Sequence, residues 1–350
     1  LIPKRASIKK LALTILGSIL DGSLYREVEI VGLTDNRDLS TYLYYFYKKE
    51  EFSMDLRRLK DNISSMLMLA ATVFTCLLFF LILIVLYYRA NPILSTVPIS
   101  ELLFSTEWSP RSGKFGFYPF IIGTLWVTGL ATIIAVPISL LSSIYLSEYG
   151  SDSLRNAVQP LIDLLAGIPS VVYGLWGVLA VVPLIKNTIA PAIGVETIGG
   201  YGILAGGIVL SIMVFPIIIS VTCEVMRSVS QDMREVSFCL GATKWQTIKH
   251  VVLKKARPGI FAATVLGFSR AFGETMAVLM VVGNIAKVPS SIFDQAYPLP
   301  ALIANTFGEL MSIPLYDSAI LLASLMLLTV VMIFNILARI ILMKIERSVS

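Results

Sequence analysis

Histidine, cysteine and charge are all in short supply in this chain, and each shortage removes a class of function. His250 is the single histidine among 350 residues and stands among lysines, so it reads as a solvated surface residue rather than a catalytic base. Cys76, Cys223 and Cys239 fall in apolar segments or in a basic loop, with neither metal-ligand spacing nor a disulfide framework. No metal site and no catalytic residue is expected. The pattern G-x-x-x-x-G-K-S/T is missing, so no phosphate loop for ATP is encoded here. Charged residues make up 15% of the chain, well below the roughly 25% usual in soluble domains, while 56% of it is hydrophobic. The chain reads as an all-α integral membrane protein.

What the sequence has in abundance is long uncharged runs. Residues 66–88 form one of 23, and roughly 20 residues cross the hydrocarbon core as a helix. The run 115–147 exceeds the needs of one span and holds Pro119 and Pro137, which points to an interfacial or re-entrant start. Further candidate spans, each with one or two charges, lie at 159–184, 198–224, 259–284 and 318–342; six spans put both termini on one side. Lys and Arg divide 22 against 5 between the two faces, with Arg270 left inside the fifth run. That excess places both termini in the cytoplasm and absorbs the net charge of +5 without invoking nucleic acid. Glu148 and Glu224, at cytoplasmic span ends, read as solvated.

The chain therefore divides into a cytoplasmic N-terminal segment (1–63), a first transmembrane helix (64–90), an external loop (91–114) and a core of five further spans (115–345). In the first segment "KKLALTILGSIL" reads as a short amphipathic or core helix and "REVEIVGL" alternates like a strand. Residues 39–62 have helix-forming composition and a tyrosine cluster, "YLYYFYKKEE". A small α+β element and a basic tail lying along the membrane both fit.

The loop 228–258 carries the most specific pattern. Met233, Val236 and Leu240 fall at i, i+3 and i+7, and after Gly241 the set Trp245, Ile248 and Val252 repeats that spacing. Two short amphipathic helices with a glycine turn between them follow, offering an apolar ridge rimmed by charge to a partner's groove. The stretch "EVSFCLGATKWQTIKHVVLKKARPG" resembles the EAA loop of ABC importer permeases, in which a glutamate followed six residues later by glycine marks the helices that dock into the ATPase. Glu235 and Gly241 match, whereas Val236 and Ser237 replace the usual alanines and Lys254 stands where a proline often follows. "GFYPFIIGTLWVTGLATIIAVPISLLSSIYLSEY", "AGIPSVVYGLWG" and "RAFGETMAVLMVVGN" narrow the resemblance, which runs from Trp108 to the C-terminus, to the PstC-type permeases of phosphate importers.

The resemblance implies a six-helix type I importer permease in a prokaryotic inner or plasma membrane. It also implies partners: a second, PstA-type permease, two PstB-type subunits that bind ATP and Mg, and an external PstS-type phosphate-binding protein. This chain would hold no cofactor of its own. Glu235, Leu240, Gly241, Ala242 and Trp245 would then couple it to the ATPase.

Arg270 and Glu274 stand four residues apart within the fifth run. Ten Leu, Ile, Phe and Val between 260 and 282 favour insertion by roughly 0.3 to 0.6 kcal/mol each, while two central charges cost roughly 2.5 to 3.5 each. These contributions nearly cancel, so the charged side should turn away from lipid. Two readings stand: Arg270 and Glu274 line a path for an anion, or they form an i,i+4 ion pair that pins the span. Asp163, Ser170 and Tyr173, around the kink expected at Pro169, are further candidates for the path, with helix packing as the alternative for the last two. A proton-coupled carrier using Arg270 and Glu274 as a relay, a sulfate or molybdate permease, and a membrane-anchored signalling protein are the competing functions.

Overall fold

The computed structural model describes residues 36–307, 313 and 315–349, with side chains described for residues 60–307, 313 and 315–345. The helix and strand expected from "KKLALTILGSIL" and "REVEIVGL" lie outside the described residues. The chain divides into two units, residues 1–80 and 81–350. Residues 39–62, expected to be helical, lie in helix α1 (Asn36–Thr96).

In the second unit α2 (Ile99–Phe104) leads to a two-residue antiparallel hairpin, β1 (Trp108–Ser109) and β2 (Lys114–Phe115). Then come α3 (Tyr118–Tyr149), α4 (Asp152–Gly167), α5 (Ser170–Ile193) and α6 (Ile203–Arg227). Two short helices, α7 (Gln231–Cys239) and α8 (Lys244–Thr247), precede α9 (Leu253–Phe272). Helices α10 (Met276–Val281), α11 (Leu299–Thr306) and α12 (Tyr316–Val349) complete the chain. The last turn of α3 (Tyr145–Tyr149) and the turn joining α8 to α9 (Ile248–Val252) are π-helical.

Five helical stretches among the described residues have the length and hydropathy of a membrane span: Lys60–Thr96, α3, α5, α6 and Tyr316–Ile345. The expected span boundaries shift in three places, each at a proline or glycine. Pro119 occupies the first turn of α3, where a missing N–H costs nothing, so this run starts as an ordinary helix rather than a re-entrant piece. The third run splits before Pro169, because Ile168 takes the extended backbone that a following proline demands (ψ 129). The fifth run does not form one continuous span. It ends as α9 at Phe272 and resumes as the six-residue α10, which at 1.5 Å per residue covers only about 9 Å.

Helix α6 is the axis of the bundle: 61% of its apolar window is buried, against 33% or less in the other spans. Its main partner is α3, which presents Ala131, Ala135, Ser139 and Ser143 at every fourth position, all buried. Small side chains let the two backbones approach, and where lipid removes the hydrophobic drive between helices this contact is the principal attraction. Polar groups add to the seam, as Ser143 Oγ donates to the carbonyls of Ser139 (2.7 Å) and Ile219 (3.3 Å). On the other side α9 reaches α6 through Gly267, where a Cβ would sit 2.7 Å from Ile218 Cδ1 and 2.9 Å from Val214 Cγ1.

Two smaller cores close the ends. At the hairpin end Trp108 packs on Phe115, Phe117 and Phe120, with ring centroids 5.8, 5.4 and 4.9 Å away. At the other end Ile144, Met226, Val229, Ile248, Val252 and Ala256 bury one another.

Ala135→Leu should wedge the α3–α6 seam apart at a fully buried position and cost about 1–3 kcal/mol. Thermal unfolding in detergent checks this: the midpoint falls, whereas an unchanged midpoint would mean that the seam has slack.

Candidate translocation path and coupling surface

Arg270 lies in the last turn of α9 and is exposed. Gly273 ends that helix, as the residue with the least helical propensity after proline, and Glu274 falls in the break before α10. The two charges therefore do not share a helical face, and among the described residues no ion pair joins them. The expected i,i+4 arrangement is replaced by separate environments. Glu274 is half-buried, and its Oε1 accepts a long hydrogen bond from the N–H of Ala277 (3.4 Å) in the first turn of α10. It lines a small cavity with Thr124 and Thr128 of α3 and Pro298 and Pro300 after the break. Beside Arg270, Ser269 Oγ donates to Asn335 Oδ1 of α12 (3.1 Å).

Tyr173 is buried, and its hydroxyl donates to the Leu165 carbonyl (2.7 Å), tying the start of α5 to the end of α4. Ser170 is the first residue of α5 and half-buried. Asp163 is displaced from the membrane-spanning helix altogether. It sits exposed on α4, where it accepts from Gln159 Nε2 (3.3 Å). One turn along α5 from Ser170, Gly174 gives α10 room, since a Cβ there would come within 2.7 Å of Met280 Sδ and 3.1 Å of Ala277 Cα.

The chain after α10 turns back through Gly283 and Asn284, both at positive φ (93° and 54°), conformations that glycine and asparagine tolerate. The end of α10 and this return supply carbonyls to the otherwise unpaired N–H groups at the start of α6. Val281 accepts from Gly202 (3.2 Å), Asp294 from Ile203 (3.0 Å) and Ile292 from Leu204 (2.8 Å). Asp294 Oδ2 knots this return by accepting from Ser290 N (2.8 Å), Ser290 Oγ (2.9 Å) and Ser291 N (2.9 Å). The Ser290 N–H, foremost, holds the carboxyl below the ordinary carboxylate range.

At the opposite end, α7 and α8 form the expected hairpin. Gly241 turns it with φ +81°, and Ala242 follows, its N–H donating to the Ser237 carbonyl (3.2 Å). Thr243 and Gln246 cap α8 reciprocally, a Thr-x-x-Gln signature present in the sequence. Met233, Val236 and Leu240 face outward, with Leu240 84% exposed, and Trp245 and Glu235 are exposed with them. Ile248 and Val252, expected on the same ridge, are instead fully buried in the core beneath. The inner face is polar: Ser237 Oγ and Thr247 Oγ1 lie 2.9 Å apart and buried. Glu148, expected to be solvated, is 7% exposed and accepts from Arg234 Nη1 through both oxygens (2.7 and 2.6 Å). Nothing in residue spacing signals this pair, whose members are 86 positions apart. Glu224 and His250 are exposed, as expected.

Comparison with known proteins accords with this architecture. Residues 135–347 match the model of the family described as "Binding-protein-dependent transport system inner membrane component". The chain belongs to that family. This permease is 37% identical over 261 residues to the phosphate transport system permease protein PstC of Xylella fastidiosa, covering 71% of its own length and 80% of that relative. It is 41% identical over 211 residues to the probable ABC transporter permease protein YqgH of Bacillus subtilis, with coverage of 60% and 66%. Among solved structures, a bacterial alginate ABC transporter chain shares the fold with a TM-score of 0.51 at 18% identity, covering 80% of this chain and 96% of that one. The bundle is thus the type I importer permease fold, and the chain is a multi-pass component of a transport system rather than an enzyme.

In this permease Asp294 fastens the return loop to α6, and its charge matters in a defined window. Because folding lowers its proton affinity, its contribution is complete above the ordinary aspartate range and is lost as pH falls through the lowered value. Asp294→Ala should speed amide exchange at Ile203 and Leu204 at neutral pH by about threefold to tenfold, equivalent to a lost capping interaction. The same amides in the parent chain should loosen only in acid, and hydrogen exchange followed by mass spectrometry reads both effects.

Proposed function

We propose that this chain is the permease subunit of an ATP-driven inorganic phosphate importer, forming the translocation path with a second, PstA-type permease. The observation that carries the reading is Arg270, an exposed guanidinium in the last turn of α9, in a chain similar along most of its length to phosphate transport permeases. An arginine inside the membrane is costly unless it faces a watery path, and its planar donors suit a tetrahedral oxyanion. Glu274, in the break just beyond, is free of Arg270 and lies beside Thr124 and Thr128. A carboxylate there would repel an anion that moved past the arginine, so the two charges act in sequence along the path. Tyr173 and Ser170 shape its wall from α5. Asp163, exposed on α4, would act only at the path's inner mouth.

The α7–α8 hairpin supports the other half of the function. With the termini in the cytoplasm, as the distribution of basic residues favours, the hairpin lies on the cytoplasmic side. Leu240, Trp245 and Glu235 then enter a groove of a PstB-type subunit that binds ATP and Mg, while Gly241 and Ala242 hold the turn between the docking helices. A PstS-type binding protein delivers phosphate at the opposite face. In the transport cycle, nucleotide-driven closure of the ATPases pulls the hairpin, and the bundle opens the path alternately to each side.

Reconstitution with the candidate partners tests the substrate: ATP-dependent uptake of phosphate is expected, and uptake of sulfate alone overturns the assignment. Arg270→Gln should lower uptake at least about tenfold, the worth of one charged hydrogen bond, with assembly unchanged. Parent-level uptake by that variant would remove Arg270 from the path. Leu240→Glu should abolish co-purification with the ATPase subunit, because an exposed apolar anchor becomes a charge in the groove it fills.

A further inference from the structure

The α7–α8 hairpin holds the membrane helices by its inner face, and that grip is concentrated on two consecutive residues of α3. Arg234 of α7 donates to both carboxylate oxygens of Glu148 at 2.7 and 2.6 Å. Its other terminal nitrogen, Nη2, donates to the Met226 carbonyl at the end of α6 (2.8 Å). On the next residue, the Lys244 ammonium of α8 lies 4.6 Å from the centre of the Tyr149 ring. One coupling helix thus holds Glu148 and the other holds Tyr149. The end of α3 is braced from a third direction by Arg155, whose guanidinium donates to the carbonyls of Leu146, Ser147 and Gly150 at 3.2, 3.2 and 3.4 Å.

Burial separates this clasp from an ordinary surface ion pair. The Glu148 and Arg234 side chains are 7% and 15% exposed, so the pair is largely withdrawn from water, with one guanidinium nitrogen held between both carboxylate oxygens. Buried ion pairs are poor stabilisers, since apolar side chains of similar volume often serve stability as well, and their better-attested use is to fix one arrangement of parts. Here the parts are the outward-facing hairpin and the helix that runs back to Thr124 and Thr128 beside Glu274. From Glu148 to Thr124 is 24 residues of helix, about 36 Å, which passes Pro137, ends in the π-helical turn carrying Glu148 and packs along α6.

We propose that Glu148 and Arg234, assisted by Tyr149 and Lys244, are positioning residues for the transport stroke: they make a displacement of α7 and α8 carry the end of α3 with it instead of rocking the hairpin alone. This rests on the ATPase-docking role given to the hairpin above. The pair lies on the inner face of the hairpin, whereas Leu240 and Trp245 are exposed; it sets how much of each ATP-driven movement reaches the path.

The test uses the full transporter with its ATPase and binding protein, in proteoliposomes, and reads phosphate taken up per ATP hydrolysed. Glu148→Gln, Arg234→Gln and the apolar pair E148L/R234M should still co-purify with the ATPase and hydrolyse ATP, with the uptake per ATP lowered about tenfold. The charge exchange E148R/R234E should recover most of that loss. A purely structural role predicts that the apolar pair couples as well as the parent. That result, or an exchange variant no better than the single substitutions, overturns the proposal. Should the buried variants fail to assemble, Lys244→Gln decides from an exposed position: about a twofold loss of coupling supports the clasp, and the parent ratio refutes it. Failure of the docking reading looks different, because Leu240→Glu would then leave co-purification intact.

Discussion

Close approach of α3 and α6 is the contact on which the rest of this bundle depends. Water is absent from the middle of a membrane, so burying leucine there gains little, and helices associate by fitting backbone against backbone. The row Ala131, Ala135, Ser139 and Ser143 provides that fit on α3, and α6 is the most enclosed helix as a result. Helix α9 then seats on α6 at Gly267, and α5 meets α10 at Gly174. Each of these contacts replaces a large side chain by none, which leaves little freedom in how the helices are rotated.

The polar groups of the bundle follow from the second rule of the bilayer, that every backbone N–H and C=O needs a partner. Breaking the fifth apolar run at Gly273 frees backbone groups, and the chain meets the cost locally. Glu274 serves the start of α10, and the return through Asp294 serves the start of α6. Irregular backbone of this kind survives at membrane depth only where protein or a watery cavity surrounds it.

Much of this was legible in the residues themselves. Apolar runs located most of the spans, and the i, i+3, i+7 spacing after Arg227 pointed to two short helices with Gly241 at their turn. The insertion estimate for residues 260–282 set two charges against ten apolar residues in a helix. It assumed one unbroken helix, however, and the chain resolved the conflict by stopping at Gly273. Pairings across long separations were not legible. Glu148 with Arg234, Ser269 with Asn335 and Ser143 with the Ile219 carbonyl depend on which faces meet after folding, and no local periodicity encodes that. Thr243 and Gln246 are a different case, since their capping signature was present in four adjacent residues.

The π-helical turn at Ile248–Val252 carries a consequence for the rotational phase of everything after it. Such a turn accommodates one residue more than an α-helical turn, and removing that residue would rotate the following helix by about 100°. Arg270 would then face a different neighbour, although its own surroundings in sequence were untouched. The azimuth of the charge at one end of α9 is thus set by a single inserted residue at the other, next to the hairpin.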